Sequence, residues 1–258
     1  MAQRPLILAV ETSGRLGSVA IALGEQILGE AAFSGPMKHS AELFPAISSL
    51  LEHFSRKADE IEHIYISAGP GSFTGLRIAA TLAKTMHLAN AAKIVAVDTL
   101  DVIAANVTTE NTLPNSSHEP PASSIEYIAT ILDAKRSQFF IAVYQRHTSH
   151  ETQSTKHGIW KKILPDCLMT ASQFLEQFGG KGKPIWLLGE GLVYYKDKFK
   201  AEGVFFLDER YWPPKAAKVH LLGWEKASSG QFTDPLTLQP TYLQRPDVKE
   251  KGKSKAKN

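Results

Sequence analysis

The chain has one cysteine, Cys167, in 258 residues. A single thiol excludes an internal disulfide framework and any multi-cysteine metal site. It fits a reducing compartment, so the cytoplasm is expected. No apolar run approaches the ~18 residues of a bilayer span, and no membrane association is expected. The first residues, Met1-Ala-Gln-Arg-Pro5, pass straight into a strand-like apolar run and lack the layout of a signal peptide. There is no His-Glu-x-x-His. The nine histidines are scattered, and the pair at ligand spacing, His147 and His150, stands in a polar stretch without an adjacent Asp or Cys. Ser13, Ser72 and Cys167 lack the surroundings of an activated nucleophile. No catalytic residue and no metal ligand is assigned. Charge of one sign is also scarce over most of the chain. The formal net charge is +3, but Lys249 to Asn258 hold five lysines and one glutamate, so the remainder is close to neutral. That balance argues against a broad nucleic-acid-binding face. The lysine-rich end reads as a disordered, solubilising tail.

What is present is ordinary globular composition, 43% hydrophobic and 21% charged. Leu6–Val10, Ser18–Leu23 and Gln26–Glu30 read as an antiparallel three-strand meander. Between Ser40 and Phe54 the period changes. Leu43, Phe44, Ile47, Leu50, Leu51 and Phe54 recur at helical spacing, with Ser40 as the expected N-cap and Pro45 expected to disturb the first turn. A strand at Ile61–Ser67 runs into the glycine-rich turn Gly69 to Gly75, and a helix follows to about Ala91. Its stripes at Leu76, Ala79, Ala83 and Met86 and at Ile78 and Leu82 predict burial on two sides. A strand at Lys93–Val97 and a helix at Thr99–Val107 precede a polar, proline-bearing stretch to Ser124, read as a boundary.

Ile125–Leu132, Asp133-Ala-Lys-Arg136 and Phe139–Tyr144 then repeat the opening pattern of apolar strand, acid, arginine-bearing turn and second strand. Glu11 and Asp133 hold matching positions, as in a duplicated lobe. Further on, Ala171–Phe178 and Ala216–Ser228 read as helices, Pro184–Leu188 as a strand, and Leu236–Leu243 as a packed segment before the tail.

Two turns carry possible chemistry. The one from Gly69 through Gly71 and Thr74 to Gly75 joins a strand to a helix, where free backbone N–H groups favour an anion. It is not a Walker A loop, because Leu76-Arg77 stands where Lys-Ser/Thr is needed. It also misses the dinucleotide fingerprint at Thr74. Tight strand-to-helix geometry alone accounts for its glycines. The turn Glu11-Thr12-Ser13-Gly14 offers an acid and two hydroxyls, suited either to phosphate or to a polar chain reversal.

Taken jointly, Ile7–Ser13, Lys38–Pro45, Ser67–Arg77 and Ala96–Leu100, extended by Asp133–Arg136 and Pro240–Leu243, resemble the TsaB (YeaZ) family. The resemblance implies an α/β fold of the actin/Hsp70/hexokinase type, two related lobes of mixed sheet flanked by helices. The expected division is 1–108, 109–246, whose last helix packs back on the first lobe, and a tail at 247–258. It implies a non-catalytic subunit that pairs with TsaD and cooperates with TsaE. Together they attach threonylcarbamoyl to the adenosine beside the anticodon of tRNAs reading codons that begin with A. Contact with tRNA is then indirect. The TsaD metal site uses two histidines on a helix; the matching positions here are Thr99 and Ile103, which make no iron or zinc site. The family's first two helices serve both self-association as a homodimer and TsaD binding. They map here onto Leu43, Ile47, Leu50 and Leu51 with Leu76, Ala79, Ala83 and Met86. No cofactor is expected beyond weak or interfacial ATP or ADP. The alternatives are an ATP-dependent small-molecule kinase of the same fold, using the two turns for phosphates, and a zinc peptidase, which the missing ligand pair opposes.

Overall fold

The structure, a computed structural model, describes residues 4–36, 38–108, 125–147 and 160–242. The expected boundary at 109–124, His150, Leu243 and the tail at 247–258 lie outside the described residues.

The first sheet grows from β1 (Leu6–Glu11), β2 (Ser18–Leu23) and β3 (Gln26–Ala32), an antiparallel meander. It continues on the other side of β1 with β4 (Ile61–Ser67) and β5 (Lys93–Val97), both parallel. Its order is β3-β2-β1-β4-β5. The second sheet contains β6 (Tyr127–Asp133), β7 (Gln138–Arg146), β8 (Trp160–Thr170), β9 (Ile185–Leu188) and β10 (Val204–Phe206). Its order is β10-β9-β6-β7-β8, with antiparallel β6–β7–β8 and parallel β6–β9–β10. Counted from its own first strand, each sheet has the same 3-2-1-4-5 order, and Glu11 and Asp133 close the equivalent strands. This is the doubled actin/Hsp70/hexokinase arrangement that the sequence led us to expect.

Side chains alternate across a strand, and in the first sheet both sets are apolar. Leu6, Leu8, Val10, Ile64 and Ile66 face one way; Ile7, Ala9, Tyr65 and Val95 face the other. Two layers of helix cover them. One is formed by α1 (His39–His53) and α2 (Phe73–Asn90). The other is α6 (Ala216–Ser228), which packs through Ala216 and Val219. At Gly223 it approaches so closely that a Cβ would come within 2.5 Å of the Tyr65 ring. Three shorter helices, α3 (Thr99–Ala104), α4 (Ala171–Phe178) and α5 (Leu192–Tyr195), complete the set. Leu100 and Ile103 of α3 and Phe174 of α4 pack into the core of the second sheet. After α6 the chain straps the first sheet. The Thr233 amide donates to the Ile94 carbonyl, Leu238 is buried, and the Thr241 amide donates to the Ala68 carbonyl at 2.6 Å.

Several local expectations change. Helix α1 begins at His39 with Lys38 as its N-cap, so Ser40 lies inside the first turn. The helix runs unbroken through Pro45, which lies with Ala41, the residue one turn before it, on the exposed side of the helix. Helix α2 begins at Phe73, earlier than the glycines suggested, because the Ser72 hydroxyl accepts from the Gly75 amide and caps it. Cys167 is half-buried, and its thiol donates to the Ile141 carbonyl at 3.4 Å.

The contact at Gly223 gives a direct test of the α6 layer. Gly223→Ala forces a methyl group into an enclosed ring and should lower unfolding free energy by about 1–3 kcal/mol. The check is the urea midpoint of the full chain, followed by circular dichroism; an unchanged midpoint contradicts the packing.

Candidate functional site

The two turns singled out from the sequence meet in space. The Thr12 hydroxyl donates to the Gly75 carbonyl at 2.8 Å, and the Ser72 amide donates to the Ser13 carbonyl at 2.8 Å. A side chain at Gly75 would overlap the Thr12 carbonyl, and Gly71 lies directly over Ser13. Glycine is required here for close approach of two backbones. Thus Glu11, Thr12, Ser13, Gly71 and Gly75 form one clasp, while Gly69 lies instead against Thr241 and its carbonyl accepts from the Thr99 amide, and Thr74 is exposed and lines a surface groove.

At the centre of the clasp Glu11 is fully buried. Its Oε1 accepts from the Ser13 amide at 2.6 Å, the Ser13 hydroxyl at 2.5 Å and the Gly14 amide at 3.3 Å. The Ser67 hydroxyl donates to Oε2. Burial outweighs these hydrogen bonds and raises the Glu11 carboxyl above its ordinary range. His39 braces the same turn: its ring Nε2 donates to the Gly14 carbonyl at 3.1 Å, and burial lowers its pKa, favouring the neutral ring. Opposite them, Glu190 reaches across from the loop after β9 and accepts from the Arg15 and Leu16 amides at 2.5 and 3.5 Å. Burial, with the nearby Glu11 charge adding to it, pushes the Glu190 carboxyl up to about 7.

The second feature is an apolar groove of about 470 Å³ along α1 and α2. Phe44, Phe73, Ile78 and Leu82 supply its apolar lining, and Thr74, Arg77, Thr81 and Thr85 its polar margin. Phe44 is 60% exposed and Phe73 41%. Tyr242, at the end of the strap, packs on Phe73 with ring centroids 5.2 Å apart. The residues expected to form a docking face are placed differently. Leu43, Ile47, Leu51, Leu76, Ala79 and Ala83 are buried in the chain's own core, and Leu50 and Met86 are half-buried against it. The strongest apolar stripe of each helix is spent on the sheet. The outward surface lies one residue further round, at Phe44, Phe73 and Arg77.

A family model described as "TsaD: tRNA N6-adenosine threonylcarbamoyltransferase" matches residues 34–161. The chain is 28% identical over 249 residues to the tRNA threonylcarbamoyladenosine biosynthesis protein TsaB of Bacillus subtilis strain 168, covering 95% of this chain and 96% of that one. It is 22% identical over 212 residues to the TsaB protein of Escherichia coli K12, covering 81% of each. Over nearly its whole length the chain is similar to the TsaB (YeaZ) proteins. The solved structure of YeaZ from Pseudomonas aeruginosa, 20% identical, superposes with a TM-score of 0.72 over 93% of this chain and 100% of that one. At that identity it speaks for the fold.

The helix that follows β5, α3, carries Thr99 and Ile103, both fully buried. The chemistry near α3 lies instead in side chains that sequence reasoning did not assemble. Lys162 of β8 meets Asp98 at 3.6 Å, Asp101 at 2.7 Å and Asp166 at 2.6 Å, and the Tyr144 hydroxyl donates to Asp101 at 2.9 Å. Three carboxylates surround one ammonium. Burial, the contact with Asp166 and the Asp101 charge outweigh Lys162 and push the Asp98 carboxyl up to about 8. This junction ties α3 to β8, and so ties the two sheets together. Valine-aspartate-threonine-leucine was visible as a motif, but its partner Lys162 lies in a strand that was not recognised. Likewise His39 lay within a quoted motif, and Glu190 sits between Gly189 and Gly191 directly after a strand, a signal that was available.

The raised Asp98 gives a signed pH dependence. The native state keeps this proton up to about pH 8, whereas the unfolded chain loses it near pH 4. Between these values the native state binds more protons, so this group's contribution to stability falls as pH rises. Asp98→Asn keeps the helix cap and cannot ionise. Relative to the parent, its urea midpoint should rise progressively between pH 5 and pH 8.5. A difference independent of pH contradicts the assignment.

Proposed function

We propose that this protein is a non-catalytic subunit in the biosynthesis of threonylcarbamoyladenosine in tRNA, and that it acts by docking onto a TsaD-type transferase through the α1–α2 groove. The modified adenosine is the one beside the anticodon in tRNAs reading codons that begin with A. The relatives carry the name of this pathway, and the matching family model is that of the transferase. The observation that carries the docking role is the groove itself, where two exposed phenylalanines flank an apolar trough. Covering such side chains stabilises a complex by about 1.5–3 kcal/mol each, and large aromatic anchors of this kind dominate interface energetics. The same groove accounts for self-association, with a homodimer giving way to the heterodimer. TsaE joins as the ATPase of the assembly, and tRNA is met through the complex in the cytoplasm.

The absence of a transferase centre in this subunit is part of the proposal. Its support is that Thr99 and Ile103, buried and mostly apolar, hold the positions matched to the transferase's metal ligands. The kinase alternative would need open backbone amides at the Glu11–Leu16 turn, and there the amides already serve Glu11 and Glu190.

Depleting the protein in its host should deplete threonylcarbamoyladenosine from bulk tRNA, read by nucleoside mass spectrometry. The parent chain should restore it. Phe44→Asp, at a solvent-exposed position, should fold normally, lose at least tenfold in association with the TsaD-type subunit and fail to restore the nucleoside. An unchanged nucleoside level on depletion rejects the function. Restoration by a Phe44→Asp chain that no longer binds rejects the docking role.

A further inference from the structure

Four successive backbone N–H groups, of Ser13, Gly14, Arg15 and Leu16, line the loop between β1 and β2. A concave run of amides is a site for an anion. In this molecule two internal carboxylates fill it. Glu11, from the same strand, takes the first two, and Glu190, from the other sheet, takes the last two. Glu190 is only 7% exposed. The contact is reinforced on both sides. The Arg15 guanidinium lies 4.6 Å from the centre of the Tyr194 ring and donates to the hydroxyl of the same Tyr194, within α5, at 2.7 Å. Gly14 is so tightly enclosed that a Cβ there would stand 2.7 Å from the Glu190 carboxylate and 2.8 Å from Pro214.

We propose that Glu190 is a latch. It supplies the anion that the amide row would otherwise take from a phosphate-bearing ligand, and by doing so holds the two sheets shut over that row. The reasoning rests on geometry and charge. A carboxylate accepting two amides is the nearest intramolecular substitute for a phosphoryl group. An incoming phosphate would have to displace a carboxylate that is already desolvated and paired, and would meet the negative Glu11 beside it. The latch thus keeps nucleoside diphosphates and triphosphates out of a fold whose turn is otherwise shaped to receive them. It also joins the β1–β2 loop to the β9–α5 loop, at a point separate from the Asp98–Lys162 junction. This proposal does not depend on the docking role, since neither Phe44 nor the groove takes part in it.

The test uses the full chain with Glu190→Ala, and with the near-isosteric Glu190→Gln should the alanine chain fail to fold. Two readouts are taken. Hydrogen exchange of the peptide spanning residues 12–17 should accelerate at least tenfold in the variant, with β1 itself unchanged. Titration calorimetry with ADP should show at least tenfold tighter binding than in the parent. Exchange at the parent rate overturns the latch. Equal ADP affinity in parent and variant overturns its role in excluding phosphate.

Discussion

A five-stranded sheet with apolar side chains on both faces cannot stand in water, and much of this molecule is arranged to cover it. Leu8, Ile64 and Ile66 on one side and Ile7 and Tyr65 on the other are all fully buried. Each such side chain contributes about 1.5–3 kcal/mol when removed from water. One face is met locally by α1 and α2. The other must wait for α6, which arrives only after the chain has built the whole second sheet. The order of events along the chain therefore forces the halves together. The strap from Thr233 to Tyr242 completes the cover and finishes beside Phe73.

That solution leaves one surface incompletely served. Helices α1 and α2 turn their best apolar stripes inward, and the residues between the stripes open a groove rather than a closed seam. Phe44 stands in solvent in a helix whose other large apolar residues are at least half-buried. The polar contacts lie elsewhere. Glu11, Glu190 and His39 gather where the loops of the two halves meet, and Asp98, Asp101, Asp166 and Lys162 gather at α3. The groove and the contacts between the two sheets thus occupy separate parts of the molecule.

The sequence made the periodic elements legible. The meander, the helix at Ala171–Phe178, the helix at Ala216–Ser228 and the repeated acid-ended strand all stand where their patterns put them, because each has a continuous apolar face. Strand β8 escaped notice for a physical reason: it is an edge strand interrupted by Pro165, with Lys161 exposed and Ile163 turned partly to solvent. Most of the residues expected on a docking face lie in the chain's own core, because helical spacing reveals which side chains are apolar but not which of two partners covers them. The two turns singled out in the sequence do meet in space. Glu190, which meets the first turn, and Lys162, which meets Asp98 and Asp101, are both far away in sequence from their partners.

The central claim is that the groove between α1 and α2 is the surface left for a transferase subunit. Hydrogen exchange of this chain, alone and mixed with the TsaD-type subunit, tests it most directly. The account predicts protection of the segments containing Phe44 and Phe73–Thr85, with the second sheet unchanged. Protection confined to β8, β9 or β10, with those two segments exchanging as in the free chain, would contradict it.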